Sequence, residues 1–170
     1  MAERGLDKAS ARAGMVWQQD NIHVELTYEH LDVVASMDKV RSPQAGAIVM
    51  FAGTTRDNFD GKKVEHLEYS SYVPMAVSTL SEIAKSVAST HGLNAISITH
   101  RLGTVPIGEE SILIFVSAPH RQAAWRGGEE ALEQTKEKAE IWKLEDFGEE
   151  GGVWRANRDG ASGVPVPSSH

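Results

Sequence analysis

The sequence predicts an α+β fold: a mixed, largely antiparallel sheet with helices packed on it, in one domain. Three observations predict it. Short apolar or alternating runs, which read as strands, outnumber the helical stretches. Some of these runs follow one another like hairpin partners, while others are separated by helical crossovers. At 170 residues the chain suits one domain with a real core.

The elements follow in order. Ile22-His-Val-Glu-Leu-Thr-Tyr28 alternates apolar and polar residues, as a half-buried strand does. Residues 31–40 suit a short helix, and Ser42-Pro-Gln-Ala-Gly46 a turn. Ala47-Ile-Val-Met-Phe51 is continuously apolar and reads as a buried central strand. Asp57-Asn-Phe-Asp-Gly61 is a loop by composition, and alternation resumes over 64–69. Residues 74–91 form the clearest helix, because Ala76, Leu80, Ile83, Ala84, Val87 and Ala88 recur at helical spacing. Pro74 suits its first turn and Gly92 its stop. Residues 95–100 and 112–116 are strands, joined by a Gly/Pro-rich connection over 101–108. A second long helix is expected from Pro119 to about Ala139, weakened at Gly127 and Gly128. Short strands close the order, with Gly148-Glu-Glu-Gly-Gly152 as a turn.

Residues 1–20 read as a disordered leader, 21–158 as the domain and 159–170 as a disordered Gly/Ser/Pro-rich tail. Glu3 and Asp7 weaken a transit-peptide reading of the N-terminus, and no secretory apolar stretch follows, so a cytosolic protein is expected. No apolar run approaches a membrane span. The formal net charge of −7 argues against nonspecific nucleic-acid binding, which rests on many Lys/Arg–phosphate contacts. The chain has no cysteine, so sulfur chemistry would use sulfur brought by a partner.

The chemistry is expected around Lys136-Glu-Lys-Ala-Glu-Ile-Trp-Lys143. A lysine held beside apolar side chains loses hydration, which favours its neutral, proton-accepting or nucleophilic form. Lys136 follows Leu132 by four residues and shares its helix face with Ala124, Gly128 and Ala131, whereas Lys138 points elsewhere. The plain alternative is a solvated charged surface, since Glu133, Glu137, Glu140, Glu145 and Asp146 supply partners. His120 and Arg121 sit at the start of the second long helix, where cations oppose the dipole but free N–H groups favour an anion. Arg56 ends Phe51-Ala-Gly-Thr-Thr-Arg56, where Gly53 permits a turn and a planar guanidinium can grip phosphate or carboxylate. On its own each of these also reads as an ordinary surface group. The histidines give no metal-ligand spacing, and no cofactor fingerprint is present.

Taken together, these motifs resemble the large, catalytic subunit of molybdopterin synthase. The matching stretches are Phe51-Ala-Gly-Thr-Thr-Arg56, Leu67-Glu-Tyr-Ser-Ser-Tyr-Val-Pro-Met-Ala76, His100-Arg-Leu-Gly103 with Gly108-Glu109, Pro119-His-Arg121, and Lys136 to Lys143 with Trp154 beyond. The ordered set runs from about Ile22 to Arg158. The resemblance implies a hammerhead-like fold and a sulfur transferase that needs no cofactor of its own. A small ubiquitin-like carrier would insert its C-terminal thiocarboxylate into a pocket of this subunit. Two carriers in succession would convert cyclic pyranopterin monophosphate to the dithiolene molybdopterin. Two large subunits would form a central dimer with a carrier at each end. The family's functional lysines fall on Lys136 and Lys143, its anion-pocket residues on Arg56, His120 and Arg121, its Phe on Phe51 and a further arginine on Arg158. Lys136 would be the principal acid/base or nucleophile, and Lys143 would bind thiocarboxylate or substrate. Ser70, Glu140 and Trp125 stand where the family usually has Glu, Pro and Phe. These changes remove no candidate catalytic group. The rivals are a Schiff-base lyase using Lys136 and a non-enzymatic anion-binding or scaffold module.

Overall fold

The computed structural model describes residues 14–158 and 160–168. Its first strands are β1 (Met15–Gln19), β2 (Ile22–Thr27), β3 (Ala47–Thr54), β4 (Asn58–Phe59), β5 (Lys62–Lys63) and β6 (His66–Ser71). Then come β7 (Ala95–Arg101), β8 (Gly103–Pro106), β9 (Glu110–Ala118), β10 (Ile141–Asp146), β11 (Gly152–Ala156) and β12 (Gly163–Val166). The helices are α1 (Val33–Asp38), α2 (Val73–His91) and α3 (Arg121–Lys138).

Two five-stranded sheets carry the molecule. The first runs β1-β2-β7-β9-β3 and is antiparallel except for the β2–β7 pair. The second runs β12-β11-β10-β6-β8 and is antiparallel throughout. Strands β4 and β5 form a separate hairpin. A mixed, largely antiparallel α+β fold is therefore present, as expected.

Strand β9 explains how the first sheet is covered. Its alternate residues Ile112, Ile114 and Val116 join the core that includes Leu80, Ile83, Ala84 and Val87 of α2. Leu113 and Phe115 join a smaller cluster with Leu31 and Val40 on the other side. A strand buried on both faces reads as one apolar run because neither set of alternate residues meets water. Helix α2 ends at Gly92, whose φ of 61° is left-handed and whose N–H bonds the Ala88 oxygen.

Several expectations need correction. The apolar run Ala47–Phe51 lies on an edge strand, β3, not a central one, and Met50 is 47% exposed. Covering both faces of a strand demands apolar residues; covering its edges does not, so composition cannot locate an edge. The connection 101–108 contains β8, whose Pro106 is tolerated because the strand is itself an edge. Gly127 and Gly128 do not break α3. A Cβ at Gly127 would come within 3.0 Å of Leu93, and one at Gly128 within 3.5 Å of Val49, so the missing side chains admit the helix to the sheet. The domain limits also shift. β1 pairs with β2 inside the expected leader, and β12 pairs with β11 inside the expected tail. The rest of the leader, residues 1–13, and the tail residues 159, 169 and 170 lie outside the described residues.

Among the described residues no helix is long and apolar enough to cross a membrane.

Candidate functional site

At the seam of the two sheets lies a cavity of about 470 Å³. Each element delivers a side chain to it for a local reason. Strand β3 ends in an irregularity between Gly53 and Thr54, where a Cβ on Gly53 would lie 2.7 Å from Ile112. That break in the ladder turns the chain out of the sheet. It leaves Phe51 and Arg56 on the cavity wall. The next segment is pinned, because Thr55 N–H donates to the Glu109 oxygen and Gly108 N–H to the Thr55 oxygen. Arg101 in turn bonds the Glu109 carboxylate at 2.6 Å.

Helix α3 brings Leu132 and Lys136 from its last turns, on one face as their spacing predicts. Lys138 is exposed and lies 3.4 Å from Gln134, off the cavity. On β10, Lys143 and Glu145 are two residues apart and so share a face. Register places Lys143 opposite Tyr69 of β6 and Arg155 of β11.

The structure thus gathers Phe51, Arg56, Lys136 and Lys143 around one space. It does not bring His120, Arg121 or Arg158 there. His120 caps α3 with an extended backbone and Arg121 is its first residue, both exposed. Fifteen residues of helix separate Arg121 from Lys136, roughly 22 Å at 1.5 Å per residue. Arg158 is exposed and stands outside the wall, although its backbone oxygen lies 3.5 Å from Arg155.

Four further residues shape the site, none of which the sequence reading assigned to it. Glu145 is 2% exposed and is clamped by Arg155, with Nη2–Oε1 at 2.6 Å and Nε–Oε2 at 3.1 Å. Lys143 Nζ lies 3.7 Å from the same carboxylate. The Arg155 guanidinium also stacks 4.4 Å over the Phe59 ring of the β4–β5 hairpin. His100 and Asn157 form the remaining corner, with the Tyr69 and His100 ring centroids 4.8 Å apart in a T-shaped contact. The Lys143/Glu145 spacing was a usable signal, since alternate strand residues face one way. Arg155, His100 and Asn157 reach the site only through strand register.

Burial pushes the His100 imidazole down to about 4, helped by the charge of Lys143 and opposed by the bond to the Arg101 carbonyl. Burial likewise raises the Tyr69 phenol, whose hydroxyl lies 3.2 Å from Ser111 Oγ. His100 carries a consequence for stability. Its folded pKa is below the unfolded value of 6.5, so the unfolded chain takes up the proton first as pH falls. Stability is expected to decline between about pH 6.5 and 4, by about 3 kcal/mol in all at 1.36 kcal/mol per unit. Melting temperatures of wild type and His100→Gln across this range check it: the variant is expected to show the shallower decline.

Fold and cavity define a class: an α+β protein that gathers lysine and arginine side chains around one cavity. Comparison with known proteins agrees. The family model for the MoaE protein matches residues 26–138. The molybdopterin synthase catalytic subunit of Sclerotinia sclerotiorum is 65% identical over 149 residues, covering 87% of this chain and 76% of that one. The Neurospora crassa protein of the same name is 62% identical over 149 residues, covering 87% and 72%. The crystal structure of molybdopterin synthase from Staphylococcus aureus superposes with a TM-score of 0.73 at 36% identity, over 76% of this chain and 94% of that one. A complex of subunits 1 and 2 of molybdopterin-converting factor from Helicobacter pylori shares the fold, with a TM-score of 0.62 at 23% identity over 73% and 84%. The chain belongs to the MoaE family.

The residues that depart from the family pattern lie off the cavity. Ser70 and Trp125 are exposed. Glu140 ties elements together: its backbone oxygen accepts from Ser71 Oγ at 2.8 Å and its carboxylate from Thr79 Oγ1 at 2.8 Å.

Proposed function

We propose that this chain is the sulfur-transferring catalytic subunit of a molybdopterin synthase, acting on cyclic pyranopterin monophosphate with a thiocarboxylated ubiquitin-like carrier. One observation carries the reading. In a chain of net charge −7, the described cavity wall holds Arg56, Lys136, Lys143 and Arg155 against the single carboxylate of Glu145. Such an excess of cations in a partly enclosed space favours more than one negative charge. A cyclic phosphate and a thiocarboxylate supply two.

The chemistry assigns roles. The carrier sulfur attacks a substrate carbon and displaces the oxygen there. That oxygen leaves as phosphate oxygen when the cyclic phosphate opens, or as water at the other carbon. A water then hydrolyses the acyl–sulfur bond, leaving sulfur on the substrate and a carboxylate on the carrier. A second carrier repeats the step. Opening the cyclic phosphate and adding sulfur both move protons, and Lys136 is the group placed for that work. Lys143, held near Glu145, orients the thiocarboxylate or the substrate. Arg56 offers its planar fork to the phosphate. Phe51 lines the wall beside them.

His120 and Arg121 can serve the same phosphate only from elsewhere, because α3 holds them roughly 22 Å from Lys136. A central dimer supplies that second source: α3 of one protomer would present its N-terminus to the cavity of the other. Co-expressing Lys136→Ala and Arg121→Ala chains tests this. Mixed dimers then contain one intact site, and activity is expected to recover to about a quarter of wild type if half the dimers are mixed. Activity no higher than either variant alone would refute the shared site.

The function itself is tested by reconstitution. The protein, thiocarboxylated carrier and cyclic pyranopterin monophosphate are combined, and the dithiolene product is detected by mass spectrometry. Product formation is expected. Carrier binding without product, while a known synthase works beside it, would favour a scaffold. The same reading puts the reaction in the cytosol, and a tagged chain found in an organelle would refute that.

A further inference from the structure

The geometry points to Asn157 as a substrate-reading residue of the cavity, its amide held in one orientation by His100. The inference rests on the pterin substrate proposed above. His100 Nδ1 lies 2.7 Å from the Arg101 carbonyl oxygen. A carbonyl only accepts, so Nδ1 carries the proton and Nε2 keeps a lone pair. Asn157 Nδ2 lies 3.2 Å from that Nε2, and an amide N–H is the group that can donate there. Turning the amide over would set two lone pairs against each other. The orientation of Asn157 therefore follows from the tautomer of His100, which follows from a backbone carbonyl.

The backbone of Asn157 is fixed as well, since its N–H donates to the Ile141 oxygen at 3.0 Å. With one N–H of its NH2 committed and the orientation set, Asn157 has its carbonyl oxygen left over as an acceptor. That oxygen has no hydrogen-bond partner among the described residues, and it is not among their buried, unpaired polar atoms. Asn157 lines the cavity, so the oxygen is an acceptor available to a ligand. The cations of the wall are donors only, so they suit phosphate and thiocarboxylate but cannot accept from the N–H groups of a heterocycle edge. A pterin presents ring and exocyclic N–H donors along one edge, and a fixed amide oxygen complements them. A site built to hydrogen-bond one such group discriminates against analogues that lack it.

Among the described residues, the groups facing His100 are Tyr69 from β6, Lys143 from β10 and Asn157 after β11. None is a carboxylate, so the imidazole stays neutral and the amide stays oriented.

Two variants and two readouts test the inference. In the reconstituted reaction, Asn157→Ala is expected to raise KM for the pterin about tenfold, with kcat changed less than about twofold and carrier affinity unchanged. An unchanged KM would overturn the substrate-reading role. Asn157→Asp places a carboxylate against Nε2 and favours the imidazolium, so nitrogen NMR is expected to show His100 titrating at least about one unit higher than in wild type. An unmoved titration would overturn the coupling of the two residues. The NMR result needs neither substrate nor turnover. If wild type makes no product, the pterin reading fails and its substrate-reading corollary falls with it, while the His100–Asn157 coupling is still decided.

Discussion

Lys136→Ala is expected to lower product formation by at least about a hundredfold, because a positioned proton-transfer group contributes about 10² to 10⁴ in rate. The loss is expected in kcat, with carrier affinity and melting temperature close to wild type. Helix α3 is continuous through Lys136, and alanine is a good helix former, so the fold has no cause to change. Lys136→Arg separates two roles. A guanidinium does not release a proton near neutral pH, so it keeps the charge of the wall without restoring turnover. Single-turnover kinetics with preloaded carrier would read the chemical step directly. Wild-type rates in Lys136→Ala would remove the lysine from the mechanism and leave the cavity as an anion site.

The second large effect is on stability. Glu145 and Arg155 form a buried pair, with Glu145 at 2% and Arg155 at 9% exposed. Truncating one partner strands the other charge, which costs about 3–5 kcal/mol. Arg155→Leu removes the clamp and leaves Glu145 with Lys143 at 3.7 Å among the described residues. Glu145→Leu sets Arg155 beside Lys143 without the carboxylate that Arg155 clamps. Either single variant is expected to lower the melting temperature by about 10 °C, at roughly 2–4 °C per kcal/mol for a chain of this size. The double variant Glu145→Leu/Arg155→Leu is expected to recover much of that loss, because replacing a whole buried pair with apolar residues is often neutral or better. Additive losses in the double variant would mean that the two residues stabilise independently. Activity adds a separate readout: the double variant folds but no longer holds Lys143, so a kcat below wild type is expected from a stable protein.

The helices and most strands were legible because their evidence is local. The stripe from Ala76 to Val87 is written in the spacing of one segment, and Gly92 ends that helix by its own backbone freedom. The wall residues Phe51, Arg56, Lys136 and Lys143 were legible through an ordered set of motifs. They face one cavity. Edges and registers were not legible. Strand β3 carries the composition of a central strand because it packs in part on both faces, through Val49 and Phe51 on one and Ile48 and Ala52 on the other, yet one edge is open. Strand β12 looked like tail because Gly163, Val164, Pro165 and Val166 signal no periodicity, and its place depends on the β11 edge being available.

By itself, then, the sequence determined the α+β class, the amphipathic helices, the absence of cysteine chemistry and the family with its two lysines. Each is a property of residue type and short-range spacing. Tertiary structure alone decided that His120 and Arg121 stand at the far end of α3 from Lys136, since helix length separates what the motif set had grouped. It alone decided that Glu145 answers to Arg155, and that a carbonyl on Arg101 sets the proton on His100 and so the amide of Asn157. Those partners lie on different strands, and strand pairing brings together residues that no local pattern connects.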